Sequence, residues 1–233
     1  MEKVDIIIPA YHPGNEFEKL LESLSGQSYP VEKILVMNTE AEFWNPEWES
    51  KFPKVKVTHL KKSEFDHGGT RRMAAELSDG DVMVYMTQDA VPADENLIRN
   101  LIRPLQENPR VGAAYARQLA REDCAYLEKY TRAFNYPEIS SIKWEKDTDK
   151  YGIKTYFCSN VCAAYRKSIY EENGGFVKKA IFNEDMIYAG TIVKKGYGIA
   201  YVADACVIHS HNYSCRQQFH RNFDLGVSQA EHP

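Results

Sequence analysis

The run Asp81-Val-Met-Val-Tyr-Met-Thr-Gln-Asp89 decides how this chain is read. Successive apolar side chains from Val82 to Met86 leave no position for a wet face. The segment therefore predicts a strand buried on both sides, as in a parallel sheet covered by helices. Its end is informative, because ligands of open α/β sheets bind outside the carboxyl ends of strands. Asp89 stands there. Two more polar clusters lie far downstream, Asn183-Glu184-Asp185 and His209-Ser210-His211. An acid at a strand end, a later pair of acids and a later pair of histidines can together hold a metal and activate a hydroxyl.

Outward from that strand, residues 4–9 predict a first strand stopped by its proline. Residues 15–25 predict a helix, with Phe17, Leu20, Leu21 and Leu24 on one stripe. Strands are expected over 33–37 and 54–60, and a helix over 68–77. After Asp89 come a helix over 96–106 and a strand over 111–116. This β-α-β alternation calls for an α/β fold with a mostly parallel central sheet and helices on both faces. Beyond Arg117 the pattern becomes a polar helix over 122–134 and a strand over 161–166. A helix, a Gly174-Gly175-Phe176 turn, a helix over 184–195 and strands over 197–202 and 206–209 follow. The last stretch, 214–233, starts as an amphipathic segment carrying Phe219, Phe223 and Val227 beside Arg216 and Arg221. It ends without a cap, so the chain reads as a piece cut short at its C-terminus.

The 233 residues suffice for one large domain, and neither repeat nor linker divides them. A net charge of −4 argues against a nucleic-acid partner. Nothing approaches the run of about 18 apolar residues that spans a membrane, and the start lacks a signal peptide's apolar centre. The five cysteines have no paired metal-type spacing and read as reduced thiols of a cytoplasmic protein. A strand would place Cys158 and Cys162 on one face.

Three motifs carry chemistry. In Phe65-Asp-His67-Gly68-Gly69-Thr-Arg71-Arg72 the glycines let backbone N–H groups approach a ligand at a helix start, where an anion is favoured. Arg71 and Arg72 add positive charge where a diphosphate would sit. A glycine-rich turn with surface arginines is the plainer reading. For Asn183-Glu184-Asp185 the plainer reading is an Asn cap with acids suited to the helix dipole; the alternative is a general base that takes a proton from a hydroxyl. His209 and His211, alternating at a strand end, share one side if the strand continues, and histidine with aspartate suits Mn²⁺ or similar ions, whereas all-oxygen sites suit Mg²⁺.

In this order the segments resemble the family-2 glycosyltransferases of the GT-A fold, most closely their bacterial rhamnosyltransferase-like members, from Val4 to about Phe223. Ile8-Pro9-Ala10-Tyr11 is similar to the opening strand and loop that line the nucleotide. Val36-Met-Asn38-Thr39 matches the second strand end, with Asn38 where an Asp commonly meets the base. His67 to Arg72 looks like the helix before the metal strand, with Arg72 replacing a usual Asn. Met86-Thr87-Gln88-Asp89 occupies the place of the D-x-D motif; its first acid is Thr87 here, so only Asp89 carries over. Ser159-Asn160 to Arg166 looks like an acceptor-side segment. Glu184-Asp185 matches the acidic pair, the second acid being the base. A late histidine reaches the metal, and the resemblance leaves His209 and His211 both open.

The resemblance implies one domain over 1–233, with a nucleotide-sugar-binding half (1–116) and an acceptor-side half (117–233). It implies inverting transfer from a dTDP- or UDP-sugar, with rhamnose the suggested sugar, to a saccharide or lipid-linked saccharide in cell-surface polysaccharide synthesis. Asp185 and Glu184 would be catalytic. Pro9, Ala10, Tyr11, Asn38, His67, Gly68, Arg71, Gln88 and Asp89 would bind the donor. A divalent cation, Mn²⁺ or Mg²⁺, would sit on Asp89, His209 and His211. The enzyme would be cytoplasmic, touching the inner face of the membrane through a region beyond residue 233. The rival from another class is a nucleotide- or sugar-binding module of the same fold without catalysis, which the Thr87 substitution favours. A dinucleotide oxidoreductase is a weak third reading, since the first strand leads into Ala-Tyr-His-Pro-Gly and not into G-x-G-x-x-G.

Overall fold

Along β1 (Val4–Tyr11), alternate side chains part to opposite sides of the sheet: Val4, Ile6, Ile8 and Ala10 enter one apolar cluster, and Ile7 enters a second. The computed structural model describes residues 1–180 and 182–231. After β1 come α1 (Asn15–Ser25), β2 (Lys33–Thr39), α2 (Glu47–Lys51), β3 (Val55–Leu60), α3 (His67–Leu77) and β4 (Val82–Met86). Next are β5 (Val91–Pro92), α4 (Leu97–Glu107), β6 (Val111–Leu119), α5 (Tyr126–Asn135), β7 (Ser141–Lys143) and α6 (Thr148–Tyr151). The chain continues through β8 (Cys162–Arg166), α7 (Lys167–Glu172), α8 (Glu184–Lys194), β9 (Gly198–Ile208) and α9 (Cys215–Glu231).

Among the described residues, nine strands form one sheet in the order β3-β2-β1-β4-β8-β6-β9-β5, with β7 added on β9. The first four in that order run parallel, as do β6 and β9. β8 lies antiparallel to both its neighbours. Its direction matters for function. Cys162 stands opposite Met86 and Ala163 opposite Tyr115, so the residues leading into β8 arrive at the carboxyl ends of β4 and β6. Helices cover both faces. The α1 stripe and α4 pack on the cluster holding Ile6 and Ile8, while side chains of α3, α7 and α8 join the other. That second cluster centres on Tyr85, Tyr165, Tyr170, Phe176 and Tyr188, whose rings meet mostly edge to face. Such pairs contribute about 0.5–1.5 kcal/mol each beyond their area.

Three sequence expectations change. The strands expected over 197–202 and 206–209 are one strand, β9, interrupted where its pairing with β6 jumps from Val202 to Cys206. The extra residues bulge, and Ala203 N–H finds the Ser140 hydroxyl instead of a strand partner. Cys158 and Cys162 do not share a strand face: they lie in opposite apolar clusters, because β8 begins only at Cys162. All five cysteines are free thiols. The polar helix begins at Tyr126, where the Ala125 N–H is taken by the Asn212 side chain. Among the described residues no helix is long and apolar enough to cross a membrane.

Candidate active site

Asp89 owes its place to short elements. Ala90 N–H donates to the Thr87 carbonyl at 3.2 Å and closes a tight turn after β4. β5 then pairs antiparallel with Val207 and Ile208, fastening that turn to the end of β9. His209 N–H donates to the Leu119 carbonyl at 2.9 Å, so β6 steadies the same end. Three side-chain atoms converge there. Asp89 Oδ2 lies 3.5 Å from His209 Nε2 and 3.3 Å from His211 Nε2, and the two nitrogens are 3.1 Å apart. Burial alone would raise the Asp89 carboxyl, but the charge His209 carries when protonated, helped by Thr87 and His211, outweighs it and holds the group well below the ordinary carboxylate range. Burial, then the charge of His209, lowers His211.

This triangle fits a small divalent cation. Ligand atoms about 2.1 Å from a common ion lie about 3.0 Å apart at right angles and about 3.4 Å apart in a tetrahedral arrangement. The observed edges of 3.1, 3.3 and 3.5 Å fall around those values. Two imidazoles with one carboxylate suit Mn²⁺ and its neighbours better than an all-oxygen cation. Both histidines are placed to contribute, where the family resemblance had left the choice between them open.

The acid pair is built differently. Asn183 takes a left-handed conformation, φ 66°, and so turns the chain sharply into α8; asparagine tolerates this region better than most residues. Its side chain makes no capping hydrogen bond. Nor are the acids solvated partners of the helix dipole. Glu184 is buried against Arg71, with Oε1 3.2 Å from Nη1, and accepts from Asn160 Nδ2 at 2.9 Å. Burial opposes its ionisation, but Arg71 and Asn160 outweigh that and keep it below the usual range. Asp185 accepts from the backbone N–H of Asn160 and of Met186, each at 2.8 Å. Burial, with the Glu184 charge beside it, still pushes the Asp185 carboxyl up to about 7. One ionised acid next to one poised near neutrality is the arrangement expected of a general base.

Around these clusters the other predicted residues divide. Asp66 caps α3, its Oδ1 accepting from Gly69 N–H at 2.8 Å and from Ala180 N–H at 3.2 Å. A Cβ on Gly68 would lie 2.4 Å from the Val177 carbonyl, and one on Gly69 would lie 2.9 Å from that of Lys178. Both glycines therefore admit the 177–178 backbone, rather than opening α3 to an anion. Arg71 is 5% exposed and committed to Glu184 and to the His67 carbonyl at 3.1 Å, so it steadies the acid pair and does not project as a free cation. Arg72 turns the other way and donates to the carbonyls of Gly174 and Phe176. His67 is stacked on Phe182, whose other neighbour is the Arg221 guanidinium of α9, 5.5 Å from the ring. Gln88 and Tyr11 exchange hydrogen bonds at 2.8 and 2.9 Å, joining the β1 loop to the Asp89 turn. Ala10 is buried and Pro9 half-buried, while Tyr11 reaches solvent beside His12 and Phe43. Asn38 is sealed, with Nδ2 spent on the Glu40 carbonyl and His59; only a buried Oδ1 lacks a protein partner.

Sequence reasoning missed Gln118. It is buried at the end of β6, with Oε1 3.1 Å from His209 Nδ1 and Nε2 3.0 Å from Ser159 Oγ. Ser159 precedes Asn160, so a continuous chain of hydrogen bonds and backbone joins the triangle to the acid pair. The polar pair Arg117-Gln118 near the end of a mostly apolar strand was the available signal.

Residues 5–174 match the profile of Glycosyl transferase family 2. The O-antigen chain rhamnosyltransferase RfbN of Salmonella typhimurium is 38% identical over 232 residues, 99% of this chain and 74% of that protein. The O-antigen chain rhamnosyltransferase WbaN of Salmonella anatum is 35% identical over 235 residues, again 74% of its length. A solved structure with a similar fold is mannosyltransferase PcManGT of Pyrobaculum calidifontis in complex with GDP-Man and Mn²⁺. Its TM-score is 0.63 at 18% identity, over 90% of this chain and 57% of that one. The chain belongs to glycosyl transferase family 2 and is a glycosyltransferase of the GT-A fold.

Proposed function

We propose that this family-2 glycosyltransferase moves rhamnose from a nucleoside-diphosphate donor, dTDP- or UDP-linked, to a hydroxyl of a saccharide or lipid-linked saccharide, with inversion, in surface-polysaccharide synthesis. The sugar and the pathway rest on likeness to two O-antigen chain rhamnosyltransferases. The chemistry rests on one observation: a carboxylate poised near neutrality, Asp185, is tied through Asn160 to the rim that carries Asp89, His209 and His211.

Asp185 accepts the proton of the acceptor hydroxyl as its oxygen bonds to the anomeric carbon. The bond from that carbon to the diphosphate oxygen breaks on the opposite face, and the diphosphate leaves with the electron pair. Glu184 keeps Asp185 basic, and Arg71 keeps Glu184 ionised. Asn160 fixes both acids, one through its backbone N–H and one through its amide. A divalent cation, when bound by Asp89 Oδ2 and the two Nε2 atoms, supplies Lewis-acid neutralisation of the leaving charge. Tyr11, Gln88 and the β1 loop belong to the donor half, 1–116; the acids and histidines belong to the acceptor half, 117–233. A lipid-linked acceptor would bring a cytoplasmic enzyme to the membrane's inner face.

The test is transfer measured by mass spectrometry with dTDP-, UDP- and GDP-sugars, with and without Mn²⁺. Turnover of a donor that Asp185→Asn binds but does not use supports the reading. Full activity in that variant removes the base, and nucleotide binding without any donor turnover leaves only the binding module.

A further inference from the structure

Arginine offers donors and no acceptor, and that orients several side chains in turn. On α5, Arg132 is gripped by Glu128, with Nε and Nη2 each 2.7 Å from Oε1. Its Nη1 donates to Oε1 of Gln118. The oxygen end of that amide must therefore face Arg132. The nitrogen end is left to donate to the Tyr136 hydroxyl at 2.6 Å and to Ser159 Oγ at 3.0 Å. The same Oε1 lies 3.1 Å from Nδ1 of His209. An amide oxygen only accepts, so Nδ1 carries the proton. In the neutral ring Nε2 is then bare, and it faces Asp89 Oδ2 and His211 Nε2.

We propose that Gln118, oriented by Arg132, is a positioning residue that selects the Nδ1–H tautomer of His209 and holds the Nε2 lone pair ready for a divalent cation. The inference rests on the metal reading of Asp89, His209 and His211. A histidine ligand needs its second ring nitrogen fixed by an acceptor; otherwise both tautomers are populated, and one of them aims a proton at the site. Gln118 is only 2% exposed, so no solvent route replaces it readily. Its amide nitrogen also ties Ser159, the residue before Asn160. One side chain thus registers the metal ligand against the backbone that holds Asp185.

The first measurement needs no substitution. Long-range ¹H–¹⁵N spectra of the metal-free protein at about pH 8 should show His209 with a protonated Nδ1 and a bare Nε2. A proton on Nε2 overturns the proposal. In Gln118→Met both tautomers should appear, and the Kd for Mn²⁺ measured by calorimetry should weaken about 10–100-fold. Gln118→Glu keeps an acceptor for Nδ1 and Arg132 and should restore both the tautomer and most of the affinity. Native Mn²⁺ affinity in Gln118→Met also overturns it. If the native protein shows the expected tautomer but takes up no Mn²⁺, the metal reading fails while the selection of the tautomer by Gln118 is upheld.

Discussion

Replacing Asp185 by Asn should cut transfer steeply and, at the same time, make the protein more stable at pH 8. The Asp185 carboxyl is pushed from 3.8 to about 7 by burial and by Glu184. That difference corresponds to about 4 kcal/mol between its two protonation states. The sign follows from proton counting. Between about 4 and 7 the folded state binds more protons than the unfolded chain, so the carboxyl's contribution is present at low pH and lost as pH rises through 7. At pH 8 the native protein therefore holds an unfavourable charge, which an amide removes. The gain is partial. Asn160 and Met186 N–H both donate to Asp185, and one amide oxygen cannot serve both, which costs about 1–2 kcal/mol. About 2 kcal/mol of net stabilisation should remain, raising Tm by about 4–8 °C at this chain length. Below about pH 4 the order should reverse, because only the lost hydrogen bond then counts. Transfer should fall about 10²–10⁴-fold, the usual worth of a general base. Calorimetric melts of both proteins across pH 4–8 are the assay. A variant less stable at pH 8, with native pH dependence, would refute the burial of a working base at this position.

The native enzyme's kcat/KM should rise with pH through about 7, since the ionised form of Asp185 takes the proton. In Glu184→Gln that limb should move to lower pH, because a like charge has gone; a steady-state pH profile for each protein decides it. Arg71→Met leaves Glu184 buried and uncompensated, and should cost about 3–5 kcal/mol at neutral pH by urea denaturation. Asp89→Asn keeps the shape but removes the charge at the triangle. Its Mn²⁺ titration should require at least about tenfold more metal, and melting in the absence of metal should fall as well, because the ionised carboxyl is held well below its ordinary range.

The two kinds of residue differ in how far the sequence discloses them. Val82 to Met86 and the Phe17–Leu24 stripe follow from periodicity, because burial on both faces, or on one helical stripe, dictates apolar spacing directly. The end of β4 was legible for the same reason, and so was Asp89. The direction of β8 was not, since a short apolar strand reads the same whether it runs parallel or antiparallel. Arg71 was visible as a charge, but its partner was set by a contact between α3 and α8 that no local pattern encodes. Asn38 shows the converse: its place at the end of β2 was correct, yet packing turned its amide inward.

That reversed strand explains why the acids and histidines share one rim. In an all-parallel sheet, the residues leading into β8 would enter from the far edge, and Ser159 and Asn160 would be a strand's length away from Asp89. Running antiparallel between β4 and β6, β8 instead begins where its neighbours end. Ser159 meets Gln118 and Asn160 meets Asp185 and Glu184, so groups 24 to 41 residues apart along the chain become linked by hydrogen bonds. The consequence can be measured. Disturbing Asn160 should alter both the pH profile set by Asp185 and the Mn²⁺ requirement set by His209, whereas disturbing Arg72, which braces the Gly174–Phe176 turn and pairs with Glu76, should alter neither. Asn160→Ala, changing one property without the other, would break the link between the two clusters.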